Sequence, residues 1–229
     1  MNILFDLDGT LTDPYRGIRN CIAHALDAMG APVPDRLEWC VGPPLRESFA
    51  KLLEGPAEAD VERAVALYRE RFLERGMYEN ALYPGVPEML AVLTAAGHAL
   101  FVATSKPRVY AEKIVAHFGL SRHFRRVHGA ELDGTRTAKG ELIRHILATE
   151  GIEARQTVMV GDREHDLIGA GENGLRAVAA GWGYGSREEL TSRHPEAILA
   201  APKEAGAYLL AMASEASGAQ RGGHRFVNK

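Results

Sequence analysis

The chain has 229 residues, 46% hydrophobic and 25% charged, with a formal net charge of −3. That is ordinary globular composition, and it carries no polyelectrolyte signature that would invite nucleic acid. Cys21 and Cys40 are too few for a disulfide framework, no run reaches the roughly 18 apolar residues of a membrane helix, and aspartates interrupt the N-terminal apolar stretch where a secretory signal would need none. The expectation is a cytoplasmic protein.

The first apolar run, residues 3–5, reads as a buried strand, and Asp6, Asp8 and Gly9 break it at once. Aspartates that close repel, the more so when desolvated. A divalent cation would remove the penalty. The next segment, residues 14–82, contains no convincing strand, only helical patterns at about 15–29, 45–54 and 57–75, with Gly42-Pro43-Pro44 as punctuation. Alternation returns after Tyr83-Pro84-Gly85. Strands follow near 99–103, 126–128 and 157–160, then 177–179 and, more weakly, 197–199. Helices separate them near 87–96, 107–118, 139–149, 166–173 and 203–213.

Apolar strands alternating with helices predict an α/β, Rossmann-like parallel sheet flanked by helices on both faces. Residues 1–13 and 83–213 would form that core. Residues 14–82 would form a helical cap domain inserted after the first strand, above the sheet's carboxyl edge. The Gly- and Ser-rich stretch 214–229 reads as a flexible C-terminal tail.

Four clusters of polar residues fall at strand ends, where parallel sheets bind ligands. They are Asp6-Leu7-Asp8-Gly9-Thr10, Thr104-Ser105-Lys106, Lys139 at the start of "KGELIRHIL", and Gly161-Asp162-Arg163-Glu164-His165-Asp166. Carboxylates from two strands can hold a hard cation such as Mg²⁺ through oxygen ligands. A hydroxyl and a lysine ammonium suit a phosphate. Together they describe phosphoryl transfer with an aspartate nucleophile.

With "DLDGTLTD" and "VGDREHD" so separated, the sequence resembles the haloacid dehalogenase superfamily, and within it the phosphoglycolate phosphatase-like group with a helical cap. The resemblance implies a Mg²⁺-dependent phosphatase with an aspartyl-phosphate intermediate. Asp6 would attack phosphorus, and Asp8 would serve as general acid and base. Gly9 would let the backbone turn beneath the phosphate. Thr104 and the Ser105 backbone would bind phosphoryl oxygens, and Lys139 would steady Asp6 and the transferring group. Asp6, the Asp8 carbonyl and Asp162 would hold the metal, with Asp166 one step further out. Many relatives have Lys-Pro where this chain has Lys139-Gly140, which leaves Arg136 as a competitor for the lysine's role.

The partner implied is a small phosphorylated metabolite, with no nucleic acid or membrane, acting on a monomer or homodimer. Phosphoglycolate is favoured, a nucleoside 5′-monophosphate is the alternative, and a beta-phosphoglucomutase-like phosphomutase is a further one. A dehalogenase would need neither Asp8 nor Asp162, and a non-catalytic scaffold would tolerate gaps in motifs that are complete here. Arg46, the first cation after the Gly-Pro-Pro bend, could read the leaving group or simply pair with a cap carboxylate. "GWGYG", residues 181–185, lacks the spacing of a dinucleotide fingerprint. It reads as a flexible turn whose Trp182 and Tyr184 could line the entrance.

Overall fold

A computed structural model describes residues 1–222. Six parallel strands form the sheet, in the order β5-β4-β1-β6-β7-β8. They are β1 (Asn2–Phe5), β4 (Ala99–Pro107), β5 (Arg126–Ala130), β6 (Thr157–Gly161), β7 (Arg176–Ala180) and β8 (Ala197–Leu199). β1 is central, with Phe5 opposite Val102 of β4 on one side and Val160 of β6 on the other.

Successive strand residues point to opposite faces, and both faces are apolar. Ile3, Phe5, Leu100, Val102, Val158 and Val160 enter one core cluster, while Leu4, Phe101, Ala103 and Met159 enter another. That two-period division is what a central parallel sheet requires. Helices α4 (Val86–Ala95), α5 (Arg108–His117) and α9 (Pro202–Gly222) bury residues such as Leu90, Ile114 and Leu209 in the first cluster. Helix α6 (Lys139–Glu150) supplies Leu142, Ile143 and Ile146 to the second, joined by Ala170 of α7 (Glu164–Glu172). A short helix α8 (Arg187–Thr191) starts where Ser186 accepts a bond from the Glu189 N–H, a regular N-cap.

Between β1 and β4 the chain leaves the sheet through α1 (Tyr15–Met29), α2 (Leu45–Leu52) and α3 (Glu58–Glu74). The expected helical patterns are there, within two residues at each end. Two strands of two residues each escape the pattern: β2 (Thr12–Asp13) pairs antiparallel with β3 (Ala81–Leu82). So short a ribbon has no period to detect, and it ties the outgoing and returning chain together. We propose that the helices between its strands form the cap domain. Phe49, Val61 and Phe72 from these helices share one hydrophobic cluster with Phe5 and Leu7. The helix α9 runs through Gly222 instead of ending near 213. The rest of the expected tail, residues 223–229, lies outside the described residues.

Helix α1 crosses the returning chain very closely at Gly17, where a Cβ would sit 2.1 Å from the Gly76 carbonyl oxygen. Backbone cannot yield as a side chain can. Gly17→Ala should therefore cost about 1–3 kcal/mol, seen as a fall of roughly 2–10 °C in Tm by calorimetry. Gly171→Ala, with nothing within 4 Å, should leave Tm level or slightly raised.

Candidate active site

Asp6 follows β1, Thr104 lies near the end of β4, Lys139 opens α6 just after β5, and Asp162 follows β6. All four are at the carboxyl edge, beside the central strand where chain connections switch direction, as such sheets favour for ligands. The pairing of β4 with β5 shifts register between Thr104 and Pro107. That irregularity re-aims the end of the strand.

Carboxylate oxygens of Asp6, Asp162 and Asp166 lie within 4.8 Å of one another, and all three residues are buried. Among the described residues one ammonium enters the group. Lys139 Nζ donates to Asp6 Oδ1 at 3.0 Å and to the Ala103 carbonyl at 2.9 Å, and it lies 2.7 Å from Asp166 Oδ1. Burial alone would lower the lysine's pKa, but the charges of Asp166 and Asp6 outweigh it and hold the ammonium. Burial pushes Asp166 up to about 6, with Lys139 opposing. Asp166, expected one step further out, has a carboxylate oxygen within 4.8 Å of oxygens of Asp6 and Asp162. Arg136 is elsewhere: its guanidinium pairs with Glu131, from a left-handed turn with φ 62°. At Gly140 a Cβ would meet Glu172 Oε2, the movable end of a side chain of α7, at 1.9 Å.

Asp162 is fully buried and tightly held. It accepts from Thr10 Oγ1 at 3.1 Å and from the Tyr184 N–H at 2.9 Å. Burial raises its pKa well above the usual carboxylate range, and the charges of Asp6 and Asp166 push the same way. The "GWGYG" loop is the cradle. Cβ atoms at Gly183 and Gly185 would stand 2.3 Å from the Asp162 Cβ and 2.0 Å from its carbonyl oxygen. Trp182 Nε1 donates to the Thr10 carbonyl at 3.0 Å, and Tyr184 donates its hydroxyl to Asp13. These rings brace the first motif from outside the cavity rather than lining an entrance. Gly9, with φ 89°, also lies against Asp162, whose Oδ2 would be 2.1 Å from a Cβ.

Asp8 stands apart from the three carboxylates. Burial raises its pKa, and Lys106, whose Nζ is 2.5 Å from Oδ2, counters in part. Lys106 is the residue that sequence reasoning grouped correctly and gave no role, because its partner lies in the first motif. Its ammonium also sits 5.3 Å from the centre of the Phe72 ring of α3. Thr104 is buried, and its Oγ1 accepts from the Lys106 N–H at 3.2 Å, which leaves its own proton to donate. The Ser105 hydroxyl is committed to the Thr137 carbonyl at 2.9 Å.

A cavity of about 750 Å³ lies over these groups, between the sheet edge and the helices α2 and α3. Asp6, Asp8, Thr104, Lys106 and Lys139 form its floor, and Tyr68, Phe72 and Tyr110 form an aromatic wall. Arg46 lines it too, but the guanidinium is already paired with Glu58 at 3.1 Å and with Glu62. Arg163, next to Asp162, donates to the Val41 carbonyl at 2.7 Å and so ties the Gly-Pro-Pro bend to the floor. His165 lines the cavity as an exposed side chain outside the carboxylate cluster.

Three carboxylates balanced by one ammonium leave an excess of buried negative charge, presented through oxygen atoms alone. Those donors fit a hard divalent cation of the Mg²⁺ kind, and Asp6, Asp162 and Asp166 are the residues that would hold it.

A parallel sheet with an aspartate at the end of its central strand, a lysine on that aspartate and a buried acidic partner defines a phosphoryl-transfer hydrolase. Residues 3–180 match the haloacid dehalogenase-like hydrolase family, and the chain belongs to it; it is a phosphatase of that family. A 5′-nucleotidase of Pseudomonas aeruginosa is 51% identical over 85% of this chain and 88% of its own. The tyrosine-protein kinase PtkA of Mycobacterium tuberculosis is 43% identical over 80% of this chain and 62% of its own. A phosphoglycolate phosphatase of Aquifex aeolicus is more distant, 28% identical over 88% and 93%. The crystal structure of a predicted phosphatase from Clostridium acetobutylicum superposes with a TM-score of 0.86 at 37% identity, covering 91% of this chain and 97% of that one. No helix among the described residues is long and apolar enough to cross a membrane.

The positions of the two cations make a direct test. Lys139→Met should lower kcat for p-nitrophenyl phosphate by about 10²–10³-fold, as for loss of one preorganised charge in a catalytic site. Arg136→Ala, which only releases Glu131, should stay near wild type. The reverse ranking would transfer the role to Arg136.

Proposed function

We propose that the protein is a Mg²⁺-dependent phosphatase of nucleoside 5′-monophosphates. The observation that carries this reading is the cavity of about 750 Å³ with its aromatic wall of Tyr68, Phe72 and Tyr110. A flat base and a sugar would use such a wall. The two-carbon acid of phosphoglycolate, the substrate favoured by sequence, would leave most of it empty. The 51%-identical relative named 5′-nucleotidase supports the same choice.

In this reading Asp6 attacks phosphorus and the bond to the ester oxygen breaks. Lys139 donates to Asp6 and holds it in place. Asp8, whose protonated form is favoured by burial, gives its proton to the departing oxygen. Water then attacks the aspartyl-phosphate, Asp8 takes the water's proton, and phosphate and Asp6 are released. Thr104 donates its free hydroxyl proton to a phosphoryl oxygen; Ser105 contributes its backbone, since its side chain is committed elsewhere. Mg²⁺, when bound by the acidic cluster, would offset charge on the phosphoryl group as it transfers. Lys106 fixes the orientation of Asp8.

Phosphate release from a panel of esters, read as kcat/KM with Mg²⁺ and with excess chelator, tests the proposal. Nucleoside 5′-monophosphates should lead, and chelation should abolish turnover. Phosphoglycolate in the lead would overturn the substrate class, and isomerisation of a sugar phosphate without phosphate release would indicate a mutase. Asp6→Asn should be inactive yet folded. Asp8→Asn should lose about 10²–10⁴-fold on alkyl phosphates and less on p-nitrophenyl phosphate, whose leaving group needs little protonation. Equal losses would deny Asp8 its acid role.

A further inference from the structure

Tyr68 on α3 is only 8% exposed, lines the cavity, and has no hydrogen-bond partner for its hydroxyl among the described residues. Its ring is held by two aromatic neighbours. It stacks on Phe72 at 5.6 Å and 15° and meets the edge of Phe49 at 6.3 Å and 79°. Phe72 in turn meets Tyr110 at 5.5 Å and carries the Lys106 ammonium at 5.3 Å. Lys106 is paired with Asp8. The hydroxyl is therefore registered, through Phe72 and Lys106, to the carboxyl group next to the reacting atoms. Burial pushes the Tyr68 phenol well above its usual pKa, and the charges of Cys21 and Asp8 act in the same direction. It is a neutral donor at any working pH.

We propose that Tyr68 is a specificity-determining residue, whose hydroxyl donates a hydrogen bond to an oxygen of the substrate's leaving group. This rests on, and deepens, the reading of the site as a nucleotide phosphatase. The sugar of a nucleoside offers acceptor oxygens next to the ester bond, while the aromatic wall offers the base a flat apolar face. A donor that no protein group among the described residues holds is free to bond an acceptor on the substrate, so it favours leaving groups that carry one.

Tyr68→Phe keeps the ring and removes only the donor. The ratio of kcat/KM for a nucleoside 5′-monophosphate to that for p-nitrophenyl phosphate should fall about three- to tenfold, as for loss of a neutral hydrogen bond. The change should appear in KM, since the contact is made in ground and transition states alike. Inhibition by the free nucleoside should weaken by the same factor. Tm of the free variant should equal or exceed that of wild type, because no bond within the protein is lost. A fall of several degrees would mean that the hydroxyl has a structural partner and would overturn the proposal, as would an unchanged ratio with unchanged inhibition. If wild type releases no phosphate from any nucleotide, the nucleotide reading fails. The same ratio, read with the best ester of the panel, then decides the role of Tyr68 separately.

Discussion

Three buried carboxylates share one ammonium at the centre of this molecule, and most of the surrounding structure exists to hold that arrangement. Two like charges about 4 Å apart repel by about 4 kcal/mol even at an effective dielectric of 20. Asp6, Asp162 and Asp166 come this close, and Lys139 answers only part of the charge. Such a group persists only on a frame that does not yield. The frame is the middle of a parallel sheet whose central strands are apolar on both faces and covered by helices on both sides. Asp6 and Asp162 leave adjacent strands at the same level because Phe5 and Val160 are in register.

The close spacing also explains the glycines. The chain around Asp162 leaves no room for a Cβ at positions 9, 183 or 185, so two segments, the turn after β1 and the loop 181–185, close on one aspartate. Its remaining oxygens are satisfied by Thr10 and the Tyr184 backbone. Trp182 and Tyr184 then anchor the loop to the first motif. A segment that reads as a flexible turn is in fact the wall packed against Asp162.

The helices over the sheet edge join the frame through one continuous hydrophobic cluster and through two polar ties. Lys106 reaches up from the floor, pairing with Asp8 and lying on the Phe72 ring. Arg163 reaches the Val41 carbonyl. Both ties start from residues adjacent to the reacting groups. The position of the cavity roof and the chemistry of the floor are therefore mechanically linked, which is how a site excludes water while keeping one orientation of substrate.

Local chemistry made much of this visible in the sequence. The strands stood out because burial on both faces demands unbroken apolar runs, and the helices over the sheet edge because of their 3.6-residue period. Asp6, Thr104 and Asp162 stood out because polar residues at the ends of buried strands need a purpose. The ribbon of β2 and β3 was too short to have a period, and the Gly and Ser residues after 213 disguised a helix that continues to Gly222. What remained depends on partners far apart in the chain. Only tertiary packing decides that Lys139 and not Arg136 meets Asp6, or that Asp166 joins the acidic cluster. The same holds for Lys106 on Asp8, for Arg46 held by two glutamates, and for Tyr68 left without a partner. Sequence patterns carry what a residue needs from its nearest neighbours along the chain; the sharing of charge and hydrogen bonds is set by which distant groups the folded backbone brings within 3 Å of each other.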